Sequence, residues 1–149
     1  MLYGGMRVSE AISIKLSDIS YLQEQELYKI TFIGKGNKTR ITYIKRILLE
    51  NDIDKLNNIF KIDKTNVIAL SKTGKTMTRV RLSEAINVIY RRAGLKISGV
   101  HILRHTAAKN LLNAGVSIVI VQSILGHASI QTTSIYANPT EEIIINGLM

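Results

Sequence analysis

Cysteine is absent from the 149-residue chain, which excludes disulfides, thiol catalysis and cysteine-ligated zinc. Long apolar runs are missing too. The longest, Val116 to Leu125, is broken by Ser117, Gln122 and Ser123 and is too short to span a bilayer. The opening MLYGGMRVSE lacks the basic start and apolar run of a signal peptide, so a cytoplasmic protein is expected. Repeats, low-complexity tracts and linkers are also lacking, and the length suits one domain with a core of useful size. Acidic residues are scarce: 11 stand against 20 lysines and arginines, for a net charge of +9, and none lies between His101 and Tyr136. The basic residues are spread along the chain rather than gathered in a tail. That distribution suits a polyanionic partner, nucleic acid first; a solvated basic surface with no partner is the other reading, and the motifs decide between them.

What is present centres on His101 to Tyr136, which holds all three histidines of the chain, an arginine between two of them and a late tyrosine. At the start of a predicted helix, His101, Arg104 and His105 fall on one face that continues into Ala108 and Leu112, and this face is expected to point into the fold. A buried arginine needs an anionic partner. With no carboxylate nearby in sequence, the anion is expected to be a ligand, unless an acid from elsewhere in the chain folds in to pair with Arg104. The helix N-terminus, with free N–H groups and the positive end of its dipole, favours phosphate.

Taken in order, Leu2 and Tyr3 read as the last turn of a helix ended by Gly4 and Gly5. Arg7 precedes a second helix, with Ser9 as N-cap, Glu10 in the first turn and Ala11, Ile12, Ile14 and Leu16 as its apolar positions. Tyr28 to Ile33 and Arg40 to Ile44 alternate as strands around GKGNK (34–38), a β-hairpin with lysine at its tip. Lys35 and Lys38 can be read as charges that protect a sheet edge, or as lysines that a loop delivers to phosphate. Ile47 to Phe60 reads as an amphipathic helix and Val67 to Leu70 as a short buried strand. The GKT of SKTGKTMTRVR resembles the end of a Walker A loop, but that motif's first glycine would fall at Ala69, so the nucleotide reading fails. Basic residues around a turn before a helix suit DNA backbone contacts better. Thr78 or Ser83 caps a helix through Ala85, Ile86, Ile89 and Tyr90 that stops at Gly94. The His101 helix ends at Gly115, and Ser117 caps a largely buried helix ending at Gly126. His127 sits in the next turn, Ser129 caps a helix carrying Tyr136, Pro139 limits it, and TEEIIINGLM adds a short apolar face.

Three chemistries compete for these residues. His101 and His105 have the i, i+4 spacing of a helical zinc pair, with His127 as a third ligand. The HExxH glutamate is absent, however, and Arg104 would set a cation beside the metal. A structural histidine cluster in a DNA-binding domain is the second. Covalent phosphoryl transfer by Tyr136 is the third, with arginines for the phosphate oxygens, a histidine base and a lysine acid.

MLYGGMRVSEAISIKLSDI, FIGKGNKTRI, HILRHTAAKNLLNAG and LGHASIQTTSIY resemble, in order and spacing, the catalytic-domain motifs of the tyrosine recombinases, which include phage integrases and Xer-type recombinases. The likeness covers nearly the whole chain. It implies an α+β, mostly α catalytic-domain fold with a small antiparallel sheet around the hairpin at about 28–44, and a single catalytic domain over 1–149. The opening helix of that domain and an N-terminal DNA-clamping domain, usual in the family, are expected to be missing.

By position, the resemblance makes Arg7 and Arg104 the two phosphate-binding arginines, Lys35 the hairpin lysine and general acid, and His101 the base. His127 takes the position held by histidine or tryptophan, and Tyr136 is the nucleophile. Glu10 and His105 take supporting positions; Lys38, Arg40 and Arg79 are expected DNA contacts. No cofactor and no metal are implied. The expected partner is duplex DNA, bound by a homo-oligomer (a tetramer) in the nucleoid, with the C-terminal segment docking on a neighbour or within its own subunit. Nick-and-reseal chemistry of the topoisomerase kind, or a non-catalytic DNA-binding decoy, are the alternatives.

Overall fold

The computed structural model describes residues 1–58, 63, 66–71, 73–126 and 145. His127, Ser129, Tyr136 and Pro139, with most of the expected C-terminal elements, lie outside them. The described residues form an α+β fold in which helices predominate. In chain order they comprise α1 (Val8–Ala11), a 3-10 turn (Leu16–Asp18), β1 (Ile19–Leu22), β2 (Leu27–Ile33), β3 (Thr39–Lys45), α2 (Arg46–Asn58), α3 (Arg79–Arg92), α4 (His101–Asn113) and α5 (Ile118–Leu125). No helix among the described residues is long and apolar enough to cross a membrane.

The expected hairpin is present as β2 and β3, and β1 extends it to a three-stranded antiparallel sheet in the order β1-β2-β3. In β1, which periodicity does not announce, Ile19 pairs with Ile30 and Leu22 with Leu27. Strand alternation gives the sheet two covered faces. Ile30, Phe32 and Ile44 join Met6 and Ile14 in one core cluster, while Leu27 and Tyr43, on the opposite face, pack with Ile145. Each fully buried aliphatic or aromatic side chain contributes about 1.5–3 kcal/mol. Arg40 lies opposite Phe32 in the β2–β3 register, on the face of the first cluster.

Several local expectations are corrected. The helix after Arg7 is one turn long, with Arg7 rather than Ser9 as its N-cap and Ile12 as its C-cap. Val67 to Leu70 is not a strand: Val67 bridges Lys15 and Leu70 bridges Thr76 as isolated pairs. Thr78, not Ser83, caps α3, accepting a bond from the Arg81 amide, while the Ser83 hydroxyl donates back to the Arg79 carbonyl. The apolar face of α5 is buried at Ile120, Val121, Ile124 and Leu125, but Ile118 and Val119 are exposed. The inward stripe of α4 passes through Arg104 and Ala107, with Ala108 and Leu111 packed against the α5 cluster. Leu112 is exposed, as are His101 and His105, so the histidines flank the buried arginine without sharing its burial.

Candidate phosphate-binding site

Arginines from three distant parts of the chain converge on the C-terminal end of α5. That end is a natural target for cations, because its last carbonyls have no partner within the helix and carry the negative end of the dipole. Ser117 starts α5 by accepting a bond from the Ile120 amide, and Gly126 ends it in the left-handed region at φ 60°. Three successive carbonyls are then each taken by a different guanidinium. Arg40 donates to Ile124, Arg104 to Leu125 at 2.5 Å and Arg7 to Gly126 at 3.2 Å. Arg104 also donates to the Gly5 carbonyl at 2.6 Å, which ties the N-terminal turn to the same point.

Glu10 organises the cluster. It is buried, its Oε2 accepts from the Arg7 amide at 2.6 Å, and its Oε1 accepts from the Arg7 and Arg40 side chains at 2.9 and 2.6 Å. Burial alone pushes its carboxyl pKa up, but the Arg7 amide and the Arg40 guanidinium, with that of Arg7, outweigh burial and hold it below the usual carboxylate range. Among the described residues, Arg104 has no such carboxylate bond. Burial first, and then the positive charges of Arg7 and Arg40, bring its guanidinium down to about 10. Among the described residues, three guanidinium charges facing one carboxylate leave two in surplus, in a partly dry site where an anion is held more strongly than in water. Guanidinium donors suit the planar, charge-bearing oxygens of phosphate.

The structure thus brings together Arg7, Glu10 and Arg104 from the sequence-predicted set. Lys35 is exposed at the tip of the β2–β3 hairpin, where Gly34 donates to the Lys38 carbonyl at 2.8 Å and Gly36 and Asn37 take positive φ. The hairpin base reaches the cluster, since a Cβ on Gly34 would lie 2.5 Å from Cδ of Arg40 and 3.4 Å from Oε1 of Glu10. His101 stands one turn before Arg104 at the start of α4, exposed, with His105 exposed on the following turn. Lys38 and Arg79 are exposed, as DNA contacts must be. Arg40, expected as a DNA contact, joins the cluster instead of standing free on the surface: its side chain is only 11% exposed, its terminal nitrogens are engaged by Glu10 and Ile124, and its guanidinium carbon lies 5.1 Å from the centre of the Phe32 ring. The sequence offered one signal for this. Arg40 shares strand parity with Thr42 and Ile44, but apolar residues occupy both parities of β3 and hide the inward face.

Comparison with known proteins places this geometry in context. The model of the phage integrase family matches residues 1–142. The chain is 39% identical over 140 residues to the tyrosine recombinase XerH of Campylobacter jejuni, covering 93% of this chain and 39% of that protein. It is 37% identical over 150 residues to the tyrosine recombinase XerD of Rickettsia bellii, covering 93% of this chain and 49% of that protein. Among solved structures, the XerH site-specific recombinase bound to difH substrate in a pre-cleavage complex matches with a TM-score of 0.74 at 29% identity, over 86% of this chain and 37% of that one. The chain therefore spans less than half the length of these relatives.

Proposed function

The chain belongs to the phage integrase family, and from that premise we propose that it is the catalytic part of a site-specific DNA recombinase, which cuts and rejoins duplex DNA through a 3′-phosphotyrosyl link to Tyr136. The observation that carries the reading is the cluster of Arg7, Arg40 and Arg104 around one carboxylate, an anion site with positive charge in surplus. Relatives named as tyrosine recombinases, and a similar site-specific recombinase solved with its difH substrate, support it.

In this reading Arg7 and Arg104 bind the non-bridging oxygens of the scissile phosphate and neutralise the charge that builds in the transition state. A tyrosine hydroxyl with a pKa near ~10 is ionised in roughly one molecule per thousand at neutral pH, so Tyr136 needs a base, and His101 is assigned that role. The Tyr136 oxygen bonds to phosphorus as the bond to the 5′ oxygen breaks. Lys35 gives the departing oxygen its proton, leaving a free 5′-hydroxyl. Because the phosphodiester energy is kept in the phosphotyrosyl bond, attack by another 5′-hydroxyl reverses the step and joins new strands. His127 hydrogen-bonds the phosphate or supports Tyr136. His105 and Glu10 orient these groups, Lys38 and Arg79 contact the DNA backbone, and the working form is a homo-oligomer, a tetramer on duplex DNA in the nucleoid.

The test is covalent trapping on nicked duplex suicide substrates, followed by a search for an SDS-resistant adduct. An adduct lost in Tyr136→Phe establishes tyrosine-mediated cleavage. Salt-sensitive DNA binding with no adduct, in the chain alone and after fusion to a DNA-clamping domain, would replace the reading with that of a DNA-binding decoy.

A further inference from the structure

Arg40 is largely withdrawn from solvent, at a cost. An apolar side chain would fill its place beside Phe32 without adding a third positive charge to a site that already holds Arg7 and Arg104. Both of its terminal nitrogens are engaged within the protein. Its surroundings are shaped to admit it. A Cβ on Gly34 would press on its aliphatic stem, and one on Gly126 would overlap its guanidinium. The side chain is thereby wedged between the base of the Lys35 hairpin and the end of α5. It also shares one carboxylate oxygen, Glu10 Oε1, with Arg7.

We propose that Arg40 is a positioning residue for strand transfer. By holding Glu10 and the Ile124 carbonyl together, it fixes the direction in which the Arg7 guanidinium meets the scissile phosphate. Arg7 has Glu10 and the Gly126 carbonyl as its own anchors, and Arg40 holds the same carboxylate and the carbonyl two residues earlier. Movement of either anchor turns Arg7. The inference rests on the reading of Arg7 as a phosphate-binding residue.

The experiment compares the unsubstituted chain with Arg7→Ala, Arg40→Ala, Arg40→Lys and the Arg7→Ala/Arg40→Ala pair. It measures the single-turnover rate of adduct formation at saturating protein, DNA affinity and thermal melting. Arg40→Ala is expected to slow cleavage on the order of 10²-fold, the size of effect that follows from a misplaced catalytic group, with DNA affinity unchanged. The paired variant should be no slower than Arg7→Ala, because both substitutions remove one function. Arg40→Lys should recover part of the rate, since an ammonium group reaches one of the two anchors but not both at once; it also serves if Arg40→Ala does not fold. Losses that multiply in the paired variant, or weakened DNA affinity with a normal rate at saturation, would overturn the assignment.

Failure of the parent reading looks different: no adduct from the unsubstituted chain, or no effect of Arg7→Ala. The anchoring itself is then read by NMR of the Arg7 guanidinium, whose signals should broaden in Arg40→Lys. Arg7 signals unchanged by that substitution would sink the inference on their own.

Discussion

At the scale of single residues, the site is a set of guanidiniums disciplined by one carboxylate. Because Glu10 has a folded-state pKa below its unfolded value, its contribution to stability is complete above about pH 4.3 and is lost as the pH falls through the folded value. Urea midpoints measured from pH 7 down to pH 3 should therefore fall less steeply for Glu10→Gln than for the unsubstituted chain. Equal slopes would mean that the carboxylate is not coupled to folding. Arg104 makes a separate prediction. Its fork reaches the Gly5 and Leu125 carbonyls together, whereas lysine could keep one of them. Arg104→Lys should lower stability by about 1–3 kcal/mol in urea denaturation, the worth of one charge-assisted hydrogen bond and a carbonyl left unpaired. Arg104 was legible as a buried arginine in search of an anion because the i, i+3 pattern of its helix could be read directly. Its bonds to backbone carbonyls were not legible, since carbonyls carry no sequence identity. The packing of Arg40 was not legible for a related reason: nothing local in the sequence shows the cross-strand register that sets it against Phe32.

At the scale of elements, the hairpin, α2, α3, α4 and the glycine stops of α3, α4 and α5 followed from periodicity and caps, which are local signals. β1 did not, because its pattern of exposure leaves both middle residues outward and its pairing with β2 supplies the order that its own sequence lacks. The single turn of α1 escaped notice because its apolar continuation, Ile14 and Leu16, is buried through a bend and a 3-10 turn rather than along a helix. Glycines separate local from tertiary demands. Gly36 and Gly126 both have positive φ, but a Cβ at Gly36 meets open space while one at Gly126 meets Arg40. Gly36→Ala should cost about 1–2 kcal/mol, the price of the left-handed backbone alone. Gly126→Ala adds overpacking of about 1–3 kcal/mol and should also impair cleavage. Denaturation of the two variants side by side checks the difference, and equal costs would show that Arg40 simply moves aside.

At the scale of the whole molecule, the net charge of +9 predicts DNA binding that weakens linearly in log–log form as salt rises. Arg79→Ala and Lys38→Ala, both at exposed positions, should each lower the magnitude of that slope by about 1 and weaken binding uniformly across sequences. A titration of affinity against salt for each variant decides whether these side chains meet phosphate. The three arginines that grip the end of α5 come from residues 7, 40 and 104, and their targets lie at 124 to 126. Such a site has no local precursor: every grip closes a long loop, and the entropy of that closure is recovered only when the intervening chain has folded. A chain still emerging from the ribosome, or one unfolded at its N-terminal turn, carries the same arginines but has nowhere to hold a phosphate. Under the proposed function, the capacity to cut DNA is thus withheld until the fold is complete.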